Sequence, residues 1–274
     1  MPVKKDPSGR RSVAAEVEVP GTPEEVWQAI ASGAGISAWF VPTEMEERAG
    51  GSAVSHFGPG SSMDSVARIG DWDPPRRYTA ETQEGPGPVA TEWTVTARAG
   101  GTCTVRVVHS WFASSDEWDA QFEGHEQGWQ AMFRTLRLYL AHFRGQPSAA
   151  ISLMGNAPGS RPEAWAALMR TLGFANVIEG RRLASAGDAP PIAGEVERLS
   201  ENEHQNELLL RLDAPTPGIA HLFALVMGGQ TFLVLRFYLY GGSAAATVAR
   251  DEPRWQAWLA RHFPFAGGPP GGCG

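Results

Sequence analysis

The sequence predicts an α+β chain built in duplicate, each copy running strand, helix, antiparallel strands, closing helix. Three observations predict it. A Pro-Gly-[Thr/Ser] opening leads into Trp twice: Pro20 precedes Trp27 by seven positions, as Pro158 precedes Trp165. A Trp-Gln-Ala triplet recurs near the end of each half, at Trp129 to Ala131 and Trp255 to Ala257. Between these anchors runs period-two alternation, the signature of sheets with one buried face.

The first copy opens on the strand-like AAEVEVP from Ala14, and Thr22 follows as the N-cap of a helix. A Thr hydroxyl accepts a backbone N–H that the first helical turn leaves without a partner. Pro23 suits the first helical position, and Glu24 and Glu25 complement the positive end of the helix dipole. Val26, Trp27 and Ile30 form the apolar stripe. Further on, Thr91, Trp93, Val95 and Ala97 fall on one face of a strand and Gly100-Gly101 turns the chain. The return strand places Cys103, Val105, Val107, His109 and Trp111 on one face. Trp118, Phe122, His125, Trp129, Met132, Phe133, Leu136, Leu140 and Phe143 then recur at three- and four-residue steps, predicting a long helix over 117–143 that Pro147 stops.

The second copy repeats the plan in shorter form. Its strands are expected at Gly194–Leu199, Glu207–Leu212, Ile219–Val226 and Thr231–Tyr240, and its closing helix at Glu252–Phe263. Having fewer residues between its anchors, it should lack a hairpin or small helix. Four segments result: a loose polar arm over 1–12, domains over 13–146 and 149–264, and a disordered Gly/Pro tail over 265–274.

Composition excludes several functions. The formal net charge of −7 opposes binding to nucleic acid or an anionic membrane surface. Hydrophobic residues make up 42% of the chain, enough for a core in both halves. Two cysteines, Cys103 and Cys273, make no disulfide framework, the start MPVKKDPSGRRS lacks an apolar signal core, and no apolar run approaches the ~20 residues of a membrane span. A cytoplasmic protein is expected. The sequence holds no phosphate-cradling glycine motif, no HExxH, no CxxC and no Gly-x-Ser-x-Gly elbow, so no metal or cofactor is expected.

The element order, together with particular segments, resembles the SRPBCC superfamily, also called START or Bet v1-like. The segments are TPEEVWQAI, ISAWF (Ile36 to Phe40), GDWDPPRRYTAE (Gly70 to Glu81), EWTVTARAGGTCTVRVVHSWF and GWQAMFRTLRLYL. Residues 13–146 resemble the branch of activators of the Hsp90 ATPase. The resemblance implies a helix-grip fold, a curved antiparallel sheet wrapped on the long closing helix. It also implies a cavity between the two that holds a small hydrophobic ligand. Expected lining residues are Trp39, Phe40, Trp93, Trp111, Trp129 and Phe133, with a void between the 91–111 hairpin and the long helix. His109 and His125 fall on the apolar sides of their elements and are candidates for a polar anchor or, in a cyclase- or lyase-type enzyme, for an acid/base pair. A third reading is a co-chaperone-like module that binds a chaperone or client protein. Arg76 and Arg77 read as a solvated turn or as a carboxylate clamp.

Overall fold

The computed structural model describes residues 3–5, 9–58, 61–84, 87–112, 119–202 and 205–264, with the side chains of Ser62, Glu84 and 119–127 outside that description. The chain divides into two compact units, Met1–Arg144 and Gly145–Gly274.

The first unit contains β1 (Lys4–Lys5), β2 (Arg10–Pro20), α1 (Pro23–Ile30), α2 (Gly33–Ser37), β3 (Thr43–Met45), β4 (Ser52–His56), β5 (Asp64–Asp73), β6 (Arg77–Glu84), β7 (Gly87–Arg98), β8 (Thr102–Phe112) and α3 (Asp119–His142). Its strands form one antiparallel sheet in the order β1-β2-β8-β7-β6-β5-β4-β3. The first long strand therefore lies beside the last, and α3 packs on β2.

Residues 1–12 are not simply a loose arm. Lys4 and Lys5 pair with Ser12 and Arg11, and β2 already begins at Arg10. The polar composition hid the alternation: Arg11 sits opposite Trp111 and is itself buried.

At the head of α1, the Thr22 hydroxyl accepts from the Glu25 N–H, and the Glu25 carboxylate accepts from the Thr22 N–H at 2.8 Å. This reciprocal capping satisfies two donors that the helix leaves without partners. At its other end, Trp39 Nε1 donates to the Ala29 carbonyl and the Tyr78 hydroxyl to the Ile30 carbonyl, both at 2.9 Å. These two rings satisfy carbonyls that the helix cannot.

The second unit contains β9 (Ser148–Ala157), α4 (Arg161–Thr171), β10 (Arg182–Ala184), β11 (Ala193–Glu201), β12 (Asn206–Ala214), β13 (Gly218–Met227), β14 (Gln230–Tyr240) and α5 (Ala244–His262). Its sheet order is β10-β11-β12-β13-β14-β9, so again the first strand pairs with the last. Among the described residues, five strands follow its opening helix where six follow in the first unit, and one helix replaces α1 and α2. Ser160 and Glu163 cap α4 in the place of Thr22 and Glu25, with the Glu163 carboxylate accepting from the Ser160 N–H at 2.8 Å. The chain is thus an α+β fold with the helix-grip plan in two copies.

The closing helix of the second copy is longer than the sequence indicates. It begins at Ala244 and carries Pro253 in its interior. The Asp-Glu-Pro at 251–253 looks like a helix start, but Asp251 is a buried mid-helix carboxylate paired with Arg250 and Arg254. Those two guanidiniums hold its carboxyl below the usual range.

The second core is dense. Leu208, Leu210, Leu222, Leu235 and Phe237 on one face of the sheet meet Trp165, Leu168, Trp255 and Trp258 of the helices, and all are buried. The tail expected over 265–274 lies outside the described residues.

Candidate functional site

Directly paired residues in an antiparallel sheet point to the same side, so the register fixes the inner face of the first sheet. One inner row runs Ala67, Thr82, Val89, Trp111 across β5 to β8. The next runs Ile69, Ala80, Thr91, His109, and a third runs Tyr78, Trp93, Val107. Buried members of these rows include Ile69, Tyr78, Val89, Trp93, Val107 and Trp111. Between them sit Ala67, Ala80, Thr82, Thr91 and His109, which are only half-buried. Four of these five are Ala or Thr, so the floor of the patch is made of short side chains.

Aromatic rings border the patch. Trp129, from α3, stacks on Phe40 with centroids 5.3 Å apart and meets Trp93 edge-on at 5.0 Å. Phe40 meets Phe57 edge-on at 5.7 Å. Phe40, Phe57 and Trp129 are all half-buried. Away from the patch the contacts continue inward, through Trp93 and Tyr78, which lie parallel at 6.2 Å, to Trp27 and Trp72.

Polar groups meet at one point of the patch. Trp129 Nε1 donates to His109 Nε2, and His109 Nδ1 lies 2.8 Å from the Thr91 hydroxyl. The imidazole and indole planes are 24° apart. Both nitrogens of His109 are therefore engaged, and its Nε2 lone pair is directed at an N–H.

The expected lining residues separate into two groups. Phe40 and Trp129 border the open patch. Trp39, Trp93, Trp111 and Phe133 are core rings, each 7% exposed or less. Trp39 uses its N–H on α1, and Trp111 packs with Val13 and Val89 in a separate cluster. Trp93, Trp129 and Phe133, expected to line a void between the 91–111 hairpin and the long helix, touch one another at centroid distances of 5.0 to 6.1 Å. The His125 side chain lies outside the described residues, so convergence of the two histidines has no geometry here. Arg76 and Arg77 form the solvated turn. Arg76 pairs with Asp73, and Arg77 with Glu92 and Asp71.

Sequence reasoning missed Thr91, Ala67, Ala80 and Thr82. Thr91 carried a usable signal, since it interrupts an apolar strand face as His109 does on the neighbouring strand. Ala67 on β5 did not, because DSVARIGDWD reads as charged and its alternation is broken by a bulge between Ile69 and Trp72.

On the outer face of the same sheet lies a depression of 420 Å³ bordered by Arg68, Gly70, Thr79 and Glu81. Its rim carries two exposed charged side chains, which does not suit an apolar ligand. Among the described residues, no group of three or more His, Cys, Asp or Glu side chains is placed to hold a metal. No described helix is long and apolar enough to cross a membrane.

A curved antiparallel sheet gripping a long helix, with an aromatic-bordered patch on its inner face, defines the first unit as a helix-grip domain of the SRPBCC superfamily. Residues 20–141 match the family model described as activator of Hsp90 ATPase homolog 1-like protein. No curated protein matches closely enough to count as a relative. Among solved structures, the chain is similar to CalU16 from Micromonospora echinospora, at 20% identity over 52% of this chain and 83% of that one, with a TM-score of 0.41. It is similar along most of its length to DynU16 of the dynemicin biosynthetic locus, at 17% identity over 91% and 96% of the two chains and a TM-score of 0.42. It is likewise similar to the di-domain ARO/CYC protein BexL of the BE-7585A biosynthetic pathway, at 11% identity over 94% and 100% and a TM-score of 0.45.

Proposed function

We propose that the first unit binds a small, largely apolar, ring-containing molecule on the inner face of its sheet. Ala67, Ala80 and Thr82 form the floor, Phe40 and Trp129 the wall, and Thr91 with His109 the polar anchor. One observation carries this reading: short side chains stay half-buried in the middle of a face whose flanking residues are fully buried. A closed core would cover them. Apolar sites with a few convergent polar groups are the usual form of small-molecule pockets.

Residues 13–146 and 149–264 are read as separate domains, with the ligand held in the first. In the second, Leu208, Leu210, Leu222, Leu235 and Phe237 in the middle of the helix-facing side are buried, with Leu183 and Leu199 half-buried toward the β10-β11 edge, which supports a scaffolding role. Binding is favoured over catalysis because the His109 Nε2 lone pair, which a general base needs, already accepts from Trp129.

Filling the floor tests the reading. Ala80→Leu should weaken binding of tetralin, a bicyclic hydrocarbon probe, by ten-fold or more on the order of one lost apolar contact area, while the protein stays folded. Unchanged affinity for tetralin, followed by tryptophan fluorescence, would remove the ligand from this face. The family match supports a second reading, in which the domain engages a chaperone of the Hsp90 class. Stimulation of a purified Hsp90 ATPase would establish it, and its absence at saturating protein would reject it.

A further inference from the structure

The polar corner of the site has a direction. An indole N–H donates and has no accepting lone pair. The bond from Trp129 therefore requires a bare Nε2 on His109. The two ring planes are inclined by 24°. A neutral imidazole with a bare Nε2 carries its proton on Nδ1. Nδ1 is 2.8 Å from the Thr91 oxygen, so His109 donates and Thr91 accepts. The Thr91 oxygen has then committed a lone pair to the ring, and its own hydrogen points elsewhere. Its neighbours on the inner face are Ala80 across the β6 pairing and Val89 and Trp93 along its strand. None of these three side chains carries an acceptor, and among the described residues the Thr91 hydroxyl has no hydrogen bond other than the one to His109.

We infer that Thr91 presents a hydrogen-bond donor to the site, so the ligand it selects carries a carbonyl-type acceptor on an apolar ring system. The inference rests on the binding reading above and deepens it. Trp129 has two roles. Its face forms the wall of the patch and its N–H sets the polarity of the chain Trp129→His109→Thr91. His109 is a positioning residue that transmits that polarity.

Two measurements test it, one with a ligand and one without. Three probes of similar size are titrated: 1-tetralone, which has a carbonyl acceptor; tetralin, which has neither donor nor acceptor; and indole, which has only a donor. The expected order places 1-tetralone about five- to ten-fold tighter than tetralin, the range of one net hydrogen bond, with no gain for indole. Thr91→Val should bring the ratio of tetralone to tetralin affinity down to about one, and Thr91→Ser should restore it. Tighter binding of indole than of tetralin, or a tetralone advantage that survives Thr91→Val, overturns the inference and leaves the binding reading standing. Failure of both tetralone and tetralin to bind the unsubstituted protein overturns the binding reading itself. Without ligand, nitrogen NMR of the imidazoles, assigned with His109→Gln, should show His109 protonated on Nδ1, and Trp129→Phe should release it to the Nε2–H form. A His109 ring that carries its proton on Nε2 in the unsubstituted protein overturns the inference whatever the probes do.

Discussion

At the scale of residues, the rings of the first unit divide their work between surface area and single hydrogen bonds. Tyr78 is 4% exposed, yet its hydroxyl reaches the last carbonyl of α1. Burial pushes its phenol pKa well above the ordinary value. Tyr78→Phe keeps the ring packing and removes the donor, leaving the Ile30 carbonyl without that partner. The expected cost is about 1 to 3 kcal/mol, read as a fall in the urea midpoint with an unchanged slope. Cys103 is fully buried beside the same helix, its thiol donating to the Gly21 carbonyl at 3.3 Å. Burial, and then the nearby Glu24 and Glu25, push its pKa up and make it a structural thiol. The sequence already displayed the rings at their helical and strand spacings, but spacing tells which side a ring takes and not whether it closes a core or borders an opening. Trp39 and Phe40 show the difference. They are consecutive, yet Trp39 is sealed under α1 while Phe40 stacks on Trp129 at the edge of the patch.

At the scale of elements, what could be read in advance depended on how local the cause was. The N-caps at Thr22 and Ser160, the Gly100-Gly101 hairpin and the described part of the α3 stripe, from Met132 to Phe143, all follow from side chains acting on their own backbone or on neighbours a turn away, and all form where the pattern puts them. The start of α5 and the pairing of β1 do not, although their partners are near in sequence, because charge and proline mask the pattern: Asp251 pairs with Arg250 and Arg254 on its own helix beside Pro253, and Lys4-Lys5 pair with Arg11 and Ser12 of β2. Gly35 shows a tertiary cause that composition conceals. A Cβ at this position would stand 1.9 Å from the Gln28 carbonyl oxygen and 2.9 Å from the Ala29 Cα. The helix α2 packs backbone to backbone against α1, and only glycine permits that approach. Gly35→Ala should displace α2, with a loss of about 1 to 3 kcal/mol as for other overpacked sites. Because α2 leads directly into Trp39 and Phe40, tetralin binding should weaken as well. Wild-type stability and affinity in this variant would mean that α2 adjusts without moving the wall.

At the scale of the whole molecule, the two units answer alkali in the same direction. Tyr78 in the first and Tyr238 in the second are both buried, and burial raises both phenol pKa values. Below about pH 10 the folded and unfolded chains both keep these protons. Above it the unfolded chain releases them and the folded chain retains them, so stability falls as pH rises. Urea midpoints should decline between about pH 9 and about pH 11, and Tyr78→Phe should flatten the part of that decline owed to the first unit. A midpoint constant across this range would show that the phenols titrate freely in the folded protein. The strand order shared by the two sheets has a further consequence, for the time course of folding. In each unit the first long strand must wait for the strand made last: β2 for β8, and β9 for β14. A chain released all at once from denaturant offers two early strands and two late ones, with similar anchors beside them, and the wrong pairs compete with the right ones. Synthesis from the N-terminus removes that competition, since β8 is in place beside β2 before β9 has been made.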